Sequence, residues 1–398
     1  MGRKKVGIMV CLFVIAVSIL FAAYGKDFFV KAEYSSEYNK IFGEFTAKTT
    51  SEFLTKDVKN SCYSPVSLYA SFMLATNVTT GETREELLEM LGVETKEELE
   101  IQYNHMLKDI EVIDENSKIV LGNSLWLNSK NINNELKALF GDLESAYQCE
   151  FFCEDIIKSN EVNEWAEQKT EGLIKQIVGE DEAFSFFLAN ALYYKSKWAV
   201  NFDKMTNEKD FYLNNDSSVK TEFIETSSEK LNYIINDDYK YVEVPLDEGK
   251  LILVLPEKKE LSKFVTEKNL NKVLALATSD DEKKNGNVIV KIPTFCIQDD
   301  IDSNNVMNVL EKLGVKQFFD EPEFIEGIEG MNARISQKTK FVVDEDGIEA
   351  AAVTSIGAEY SAKSGNVDLE ITFDRPFMYI LMKDGVPLFI GTVYNPAE

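Results

Sequence analysis

Residues 344–365 read DEDGIEAAAVTSIGAEYSAKSG, and no single kind of secondary structure accounts for that composition. Three consecutive alanines, 350–352, favour a helix, whereas the β-branched residues that follow them favour a strand. The ending is rich in glycine and serine, which favours a loop. The stretch therefore needs an explanation beyond local propensity.

The same stretch is compatible with a central strand of a sheet. Counted at a period of two, every even-numbered residue from Ile348 to Ala358 is uncharged, whereas Glu349 and Glu359 share the other face. The uncharged face could be buried, but the glutamate face would have to stay near water because a buried unpaired carboxylate is strongly destabilising. No proline occurs between residues 322 and 376, so every amide of the stretch can donate to a neighbouring strand.

The composition is that of an acidic globular protein. Of the 398 residues, 44% are hydrophobic and 28% are charged, which is enough to build a sizeable core. Asp and Glu number 68 against 42 Lys and Arg, giving a formal net charge of −26. A surface this acidic repels a phosphate backbone, which excludes nucleic-acid binding as the main activity. It is suited to solubility and to attracting basic partners.

Residues 1–32 have the pattern of an export signal. Three basic residues, 3–5, precede residues 6–25, which carry no charge. Cleavage near the end of this segment would give a secreted protein, whereas the uncut segment is long enough to span a bilayer and tether the protein outside the cell. Both outcomes stay open, and residues 33–398 are predicted to form the folded domain.

Cysteine and histidine are too few for a disulfide scaffold or a multi-histidine metal site. Beyond the signal, the cysteines are Cys62, Cys149, Cys153 and Cys296. Cys149 and Cys153 could form a disulfide or bind a metal, but structural thiols are the more typical interpretation, and no cofactor or metal is predicted. The single histidine, His105, lies in a charged helical pattern, so a Ser-His-Asp or Cys-His enzyme has only one poor candidate for its base.

The amino-terminal half is predominantly helical in pattern. Ser64 is a predicted N-cap, with Pro65 at the first helical position. Thr83 and Thr95 each precede a glutamate by three residues, the spacing of a capping box. Residues 159–178 are predicted to form one long amphipathic helix.

From residue 186 onwards, strand patterns dominate. FFLANALYYKSKW (186–198) begins the series, and helical patterns interrupt it only near residues 261–277 and 304–313. There is no internal repeat and no linker rich in Pro and Gly. The sequence therefore predicts a single α+β domain.

Seven segments, in matched order along residues 35–398, resemble the serpin superfamily. They are NSCYSPVSLYASFMLATNVTTGETREELLEMLG (60–92), NEWAEQKTEGLI (163–174), FFLANALYYKSKWAVNFD (186–203), IPTFCI (292–297), VMNVLEKLGVKQFF (306–319), VDEDGIEAAAVT (343–354) and FDRPFMYILMKDGVPLFIGTVYNP (373–396).

The resemblance implies a serpin fold with three β-sheets, about nine helices and an exposed reactive-centre loop. The loop would lie between a central-sheet strand at 338–346 and a carboxy-terminal strand pair. It also implies two native conformations for residues 344–365. They would form an exposed loop before cleavage and an inner strand of the sheet after it. Such insertion would make the protein a suicide-substrate inhibitor that traps a serine protease as its acyl-enzyme.

Site residues follow from the resemblance position by position. Residues matched to the hinge are Glu345, Gly347, Ile348, Glu349, Ala350, Ala351, Ala352, Val353 and Thr354. Residues matched to the sheet-opening cluster are Ser64, Pro65, Ser67, Asn190, Trp198 and Gln337. Two positions depart from the family pattern: Ile348 stands where Thr or Ser is usual, and Gln337 stands where many members have a histidine. A glutamine can hydrogen-bond to Ser64 or Asn190 but cannot titrate near neutral pH.

The family spacing of fourteen residues from the hinge glycine places the cut bond at Ser361-Ala362, with Tyr360 and Lys363 as neighbouring candidates. A small residue suits elastase-like proteases, a tyrosine suits chymotrypsin-like ones, and trypsin-like targets are disfavoured. The implied partner is a serine protease held covalently by a monomeric inhibitor, with no small-molecule cofactor. The alternatives are a non-inhibitory serpin, such as a carrier or chaperone, and an inhibitor of cysteine proteases.

Overall fold

The computed structural model describes residues 37–54, 58–106, 110–128, 134–154, 157–179, 183–184, 186–214, 217–227, 229–258, 260–279, 281–326, 328, 333–348 and 367–398. The predicted signal in residues 1–32 lies outside this part of the chain. The helices are α1 (37–53), α2 (Pro65–Val78), α3 (Gly81–Leu91), α4 (Lys96–Met106), α5 (Asn134–Tyr147), α6 (Ser159–Lys169), α7 (Leu261–Phe264), α8 (Glu267–Thr278), α9 (Ser303–Lys312) and α10 (Gln317–Asp320).

Strands are concentrated in the carboxy-terminal half, as the sequence predicts. They are β1 (Ser61–Tyr63), β2 (Val112–Ile113), β3 (Lys118–Asn128), β4 (Glu150–Glu154), β5 (Ile157–Lys158), β6 (Ala183–Phe184), β7 (Phe186–Lys197), β8 (Phe202–Lys204), β9 (Lys209–Tyr212), β10 (Ser218–Thr221), β11 (Phe223–Thr226), β12 (Glu229–Ile235), β13 (Tyr239–Leu246), β14 (Gly249–Pro256), β15 (Lys284–Pro293), β16 (Phe295–Ile301), β17 (Ala333–Val343), β18 (Gly347–Ile348), β19 (Leu369–Thr372), β20 (Phe377–Lys383) and β21 (Val386–Val393).

Two large sheets organise the fold. The first, called here the central sheet, has seven strands in the order β16-β17-β18-β7-β3-β2, with β4 paired to β3. The second has ten strands, and β12 bridges its two halves because it pairs with β13 on one side and β15 on the other. Two of the three expected sheets therefore share one continuous ladder. Two short ladders, β9-β10 and β5-β6, complete the described sheets.

Helix α2 lies in the core. All of its residues are buried, and it contacts both the central sheet and the ten-stranded sheet. A helix that is buried on every side must satisfy its polar side chains internally. Thr76 and Asn77 accordingly donate to carbonyls four residues earlier, at 2.7 Å and 2.9 Å. The predicted start of this helix is confirmed, since the Ser64 hydroxyl accepts from the Ser67 amide and Pro65 is the first helical residue.

Two predicted helix boundaries are wrong. Helix α3 begins at Gly81 rather than after Thr83, whose hydroxyl instead accepts from the Glu323 amide at 2.9 Å. The long helix predicted for 159–178 ends at Lys169. Gly172 follows with a φ of 83°, and its amide donates to Glu167 O at 2.8 Å, closing the helix with a left-handed turn. None of the described helices is long and apolar enough to cross a membrane.

Candidate functional site

The hinge region lies at the end of β17, one of the two strands at the middle of the central sheet. This strand covers Ala333–Val343 rather than the predicted 338–346, because residues 344–346 form a turn. After the turn, Gly347 and Ile348 form β18, which pairs with β17 through Val343↔Ile348. On its other side β18 pairs antiparallel with β7.

The hinge is therefore already part of the sheet, which corrects the expectation of a wholly exposed loop in the uncut protein. Ile348 is 1% exposed and lies between Ser196 of β7 and Val343 of β17. An isoleucine gains more from this burial than the Thr or Ser usual at the position. Gly347 is required for the close approach, since a Cβ at this position would be 2.3 Å from the Ser196 carbonyl oxygen.

Trp198 fastens the hinge turn to the end of β7. Its indole Nε1 donates to Asp344 O at 2.8 Å, and its backbone amide donates to Asp346 O at 3.4 Å. The Asp344 carboxylate accepts from the amides of Asp346 and Gly347, which closes the turn. Burial nevertheless raises the pKa of Asp344, outweighing the hydrogen bonds from those two amides. These contacts place Trp198 beside the turn that precedes β18.

Below β18, the two middle strands pair directly with each other. β7 and β17 run parallel and pair from Phe186↔Ala333 to Ala189↔Ser336. Above these pairs, residues 190–195 of β7 and 337–342 of β17 have no ladder pair joining them within the described residues. Since paired strands lie about 5 Å apart, and strands separated by a third lie about 10 Å apart, β7 and β17 lie close together at their direct pairs and farther apart where β18 lies between them.

Gln337 is the first residue of β17 above the closed pairs, and it joins the sheet to helix α2. Its amide oxygen accepts from Ser64 N at 2.9 Å, and its amide nitrogen donates to Ser64 O at 2.8 Å. The Ser64 hydroxyl donates to Ser67 Oγ at 2.8 Å. Ser64, Pro65, Ser67 and Gln337 are all buried, and the hydrogen bonds bring Ser64, Ser67 and Gln337 together at the start of α2.

Asn190 is the corresponding first residue of β7 above the closed pairs. It lies opposite Asn123 of β3, and its side-chain amide donates to the Asn123 Oδ1. The Asn190 side-chain oxygen, Oδ1, is buried and has no hydrogen-bond partner among the described residues. A buried acceptor without a donor is uncommon in a folded protein.

Three polar residues of this region were missed by the sequence analysis. Asn123 partners Asn190, and the Thr339 hydroxyl donates to Cys62 O at 2.8 Å beneath β17. The Ser196 hydroxyl lies 3.1 Å from that of Ser117 and accepts from the Glu248 amide. The sequence signal that could have identified such residues is a polar side chain on the inward face of an otherwise apolar strand. Asn123 in KIVLGNSLWLN is an example.

The remaining candidates have plain structural roles or lie outside the described residues. Cys149 and Cys153 are both thiols and are not joined by a disulfide; burial raises the pKa of Cys149 to about 12. His105 is exposed on α4 and stacks on Tyr38. Within the described part of the chain, no cluster of His, Cys, Asp or Glu is arranged to hold a metal. The candidates outside the described residues are Glu349, Ala350, Ala351, Ala352, Val353, Thr354, Tyr360, Ser361, Ala362 and Lys363.

Comparison with known proteins identifies the architecture. The family model described as Serpin (serine protease inhibitor) matches residues 41–396. The chain is a serpin. It is 30% identical over 387 residues to Serpin-Z2A of Triticum aestivum, an alignment that covers 90% of this serpin and 95% of that protein.

Solved structures agree with this assignment of the fold. Serpin48 of the insect Tenebrio molitor matches with a TM-score of 0.75 and 24% identity, covering 90% of this serpin and 98% of that chain. Thyroxine-binding globulin, solved in complex with thyroxine, matches with a TM-score of 0.77 and 21% identity, covering 91% and 100%. Serpins are mostly protease inhibitors rather than enzymes, and thyroxine-binding globulin shows that the fold also serves other functions.

Proposed function

We propose that this serpin is a suicide-substrate inhibitor of elastase-like or chymotrypsin-like serine proteases, acting by insertion of its cut loop into the central sheet. The observation that supports the proposal is β18, in which Gly347 and Ile348 already occupy the place of an added strand between β7 and β17. Residues 350–358 are all small or β-branched, and no proline occurs before Pro376, so the strand can continue.

The chemistry begins as ordinary proteolysis. The protease serine Oγ attacks the carbonyl carbon of Ser361, the peptide bond to Ala362 breaks, and the amine of Ala362 leaves with the proton delivered by the protease histidine. Residues 362–398 then begin with a free amine, and Ser361 remains attached to the protease as an ester. Water would normally release that ester at rates of about 1–1,000 per second.

Insertion must be faster than this hydrolysis. Each strand hydrogen bond contributes about 0.5–1.5 kcal/mol net, so a strand of about a dozen residues bonded on both sides can release on the order of 10 kcal/mol. Because β18 already lies between β7 and β17, above the four direct pairs from Phe186↔Ala333 to Ala189↔Ser336, the first stage of insertion would extend an existing ladder. The ester-linked protease is then carried along the sheet before it can deacylate.

The direct test is incubation with pancreatic elastase and, separately, with chymotrypsin, followed by a denaturing gel. We expect a band at the summed mass of the two proteins. Mass spectrometry should find the released peptide 362–398, which has about 37 residues, and a peptide starting before Ser361 or after Lys363 would contradict the assigned bond. A serpin that is only cut, with no stable complex for either protease, would contradict the trapping function.

A carrier function is the second candidate, favoured by one observation. A groove of about 790 Å³ lies between α1 and α8, within the size range of small-molecule sites. Charged side chains, including Lys40, Glu44, Lys48 and Glu267, line it, whereas small-molecule pockets are mostly apolar. The groove therefore supports the carrier function less strongly than β18 supports trapping.

We also propose that the protein acts outside the cell, on the basis of the charge pattern of residues 1–32. Expression in a host with an export pathway, followed by amino-terminal sequencing of medium and membrane fractions, distinguishes a cleaved secreted form from a tethered one. Retention of the uncut protein in the cytosol would contradict the proposal.

A further inference from the structure

A surface groove with an apolar floor and an acidic rim lies at the end of helix α3. Its volume is about 450 Å³, and it is lined by Glu85, Leu88, Glu89, Gly92, Val93 and Glu94. Leu88 and Val93 are buried and form the floor, whereas the three glutamates are exposed and form the rim. We call this feature the α3 groove.

The groove follows from the way α3 ends. Gly92 closes the helix with a φ of 76°, and its amide donates to Glu89 O at 3.1 Å. The Val93 amide turns back to Leu88 O at 3.0 Å, which is the pairing that brings two apolar side chains together at a helix end. Residues 85, 88, 89 and 92 share one face of the helix, so the glutamates of α3 lie beside this apolar pair.

The rim carboxylates have no internal role that would explain them. The Glu86 carboxylate accepts from two backbone amides at the start of α10, and the Glu98 carboxylate accepts from the Glu94 amide at 2.7 Å. The carboxylates of the three rim glutamates, in contrast, make no hydrogen bond or ion pair with the described part of the chain. They are available to a ligand.

The charge around the groove has one sign. Residues 82–100 contain eight glutamates and two basic residues, Arg84 and Lys96, which are partly buried and do not line the groove. The larger groove between α1 and α8, by comparison, is lined by lysines as well as glutamates. An anionic ligand would be repelled from the α3 groove, and so would a second copy of a chain whose net charge is −26.

We propose that the α3 groove docks a basic segment of a partner protein, one in which arginine or lysine alternates with aliphatic residues. Basic side chains lay their apolar stems on apolar surface while their charged ends reach carboxylates, and arginine pairs with a carboxylate through two hydrogen bonds. Glu85 and Glu89 are one turn apart, with Cβ atoms about 5–6 Å from each other. Alternate residues of an extended segment lie about 7 Å apart, so two of its basic side chains can meet both glutamates.

This docking is separate from the trapping function. Helix α3 packs on α2 and α10, and none of the residues that line the groove belongs to the hinge or to the central sheet. A partner bound there would hold the serpin at a basic surface and leave its loop free to meet a protease.

The test is the binding of a fluorescently labelled peptide of alternating leucine and arginine to the intact serpin at low ionic strength, followed by fluorescence anisotropy. Replacing Glu85, Glu89 and Glu94 together by glutamine should weaken binding about tenfold, as the loss of three exposed ion pairs predicts. A peptide of equal charge in which serine replaces leucine should bind about tenfold more weakly to the wild type, because it leaves the apolar floor uncovered.

The matched control replaces three exposed glutamates on α6 and α9 by glutamine, Glu164, Glu167 and Glu311, and should bind the leucine peptide within about twofold of the wild type. Equal weakening by the control would mean that net charge alone attracts the peptide, and equal binding of the two peptides would mean that the floor is not used; either result overturns the proposal. Light scattering that shows self-association, lost in the groove variant, would assign the groove to a second copy instead.

The yield of the stable complex with elastase distinguishes this inference from the proposed function. We expect the groove variant to match the wild type in that yield, because the groove lies outside the parts that trap the protease. A lower yield for the groove variant would contradict the separate role of the groove. If the wild type forms no complex but binds the peptide as expected, the trapping function is wrong and the docking site stands.

Discussion

Replacing Gln337 by leucine removes the clamp that joins β17 to the start of α2. The glutamine amide makes two hydrogen bonds to the backbone of Ser64, at 2.9 Å to N and 2.8 Å to O. Ser64 is 0% exposed, so water cannot replace the lost partner of its amide. The carbonyl keeps a second donor, the Leu68 amide at 3.3 Å.

The expected loss follows from these partners. A buried amide left unpaired costs about 1–3 kcal/mol, and loss of the bond to a carbonyl that keeps another donor costs about 0.5–1.5 kcal/mol. Leucine is more favourably buried than glutamine, which offsets part of this. We expect Gln337→Leu to lower the free energy of unfolding of the uncut serpin by about 2–3 kcal/mol.

Urea unfolding followed by tryptophan fluorescence measures this change. Gln298→Leu is the matched control, because Gln298 is exposed on the neighbouring strand β16 and should change stability by less than about 0.5 kcal/mol. If Gln337→Leu and Gln298→Leu unfold at the same urea concentration as the wild type, the clamp does not stabilise the sheet and the reasoning is refuted.

Other substitutions test the hinge and the entering strand. Ala352→Arg should leave the uncut fold intact but abolish the complex, because continuing the pairing of β18 with β7 places residue 352 opposite Leu192, on the buried face of the sheet. Glu359→Arg changes the other face and should retain at least partial trapping. Equal trapping by the two variants would refute the assignment of faces. Gly347→Ala should expel β18 from the sheet, since its Cβ would meet the Ser196 oxygen, and unchanged protection of the Ile348 amide in hydrogen exchange would contradict this. Burial raises the pKa of Asp344 in the folded protein. The contribution of this carboxyl group to stability is therefore greatest below its unfolded pKa of 3.8, and it is lost as the pH rises through the folded pKa. Asp344→Asn should accordingly raise the melting temperature at pH 7 but not below about pH 4.

The parts of the fold that rest on strong local patterns could be predicted from the sequence. Ser64 with Pro65 marks the start of α2, and the apolar run at 186–198 gives β7 almost to the residue. The end of α6 could not be predicted, because the amphipathic spacing continues through Gly172 and only the backbone conformation there shows that the helix has closed. The start of α3 was misplaced because Thr83 has a tertiary partner, Glu323, that no local pattern reveals.

The candidate site divides in the same way. Gly347, Gln337 and Trp198 are matched to the family by resemblance, whereas their contacts with Ser196, Ser64 and Asp344 are visible only in the structure. The insertion of Ile348 into the sheet could not be predicted, because the same residues can form either a loop or a strand. Which of the two forms depends on the positions of β7 and β17. The unsatisfied Asn190 oxygen is likewise a property of three strands together, β3, β7 and β17, and not of any one of them.

The central claim is that the cut loop becomes an added strand between β7 and β17. Its most direct test is thermal unfolding of the serpin before and after its loop is cut by a metalloprotease, which forms no acyl-enzyme and so leaves the serpin free. The added ladder is worth on the order of 10 kcal/mol. We therefore expect the cut protein to unfold at least about 10 °C above the uncut one. Equal melting temperatures, or a lower one after cutting, would mean that the loop does not insert.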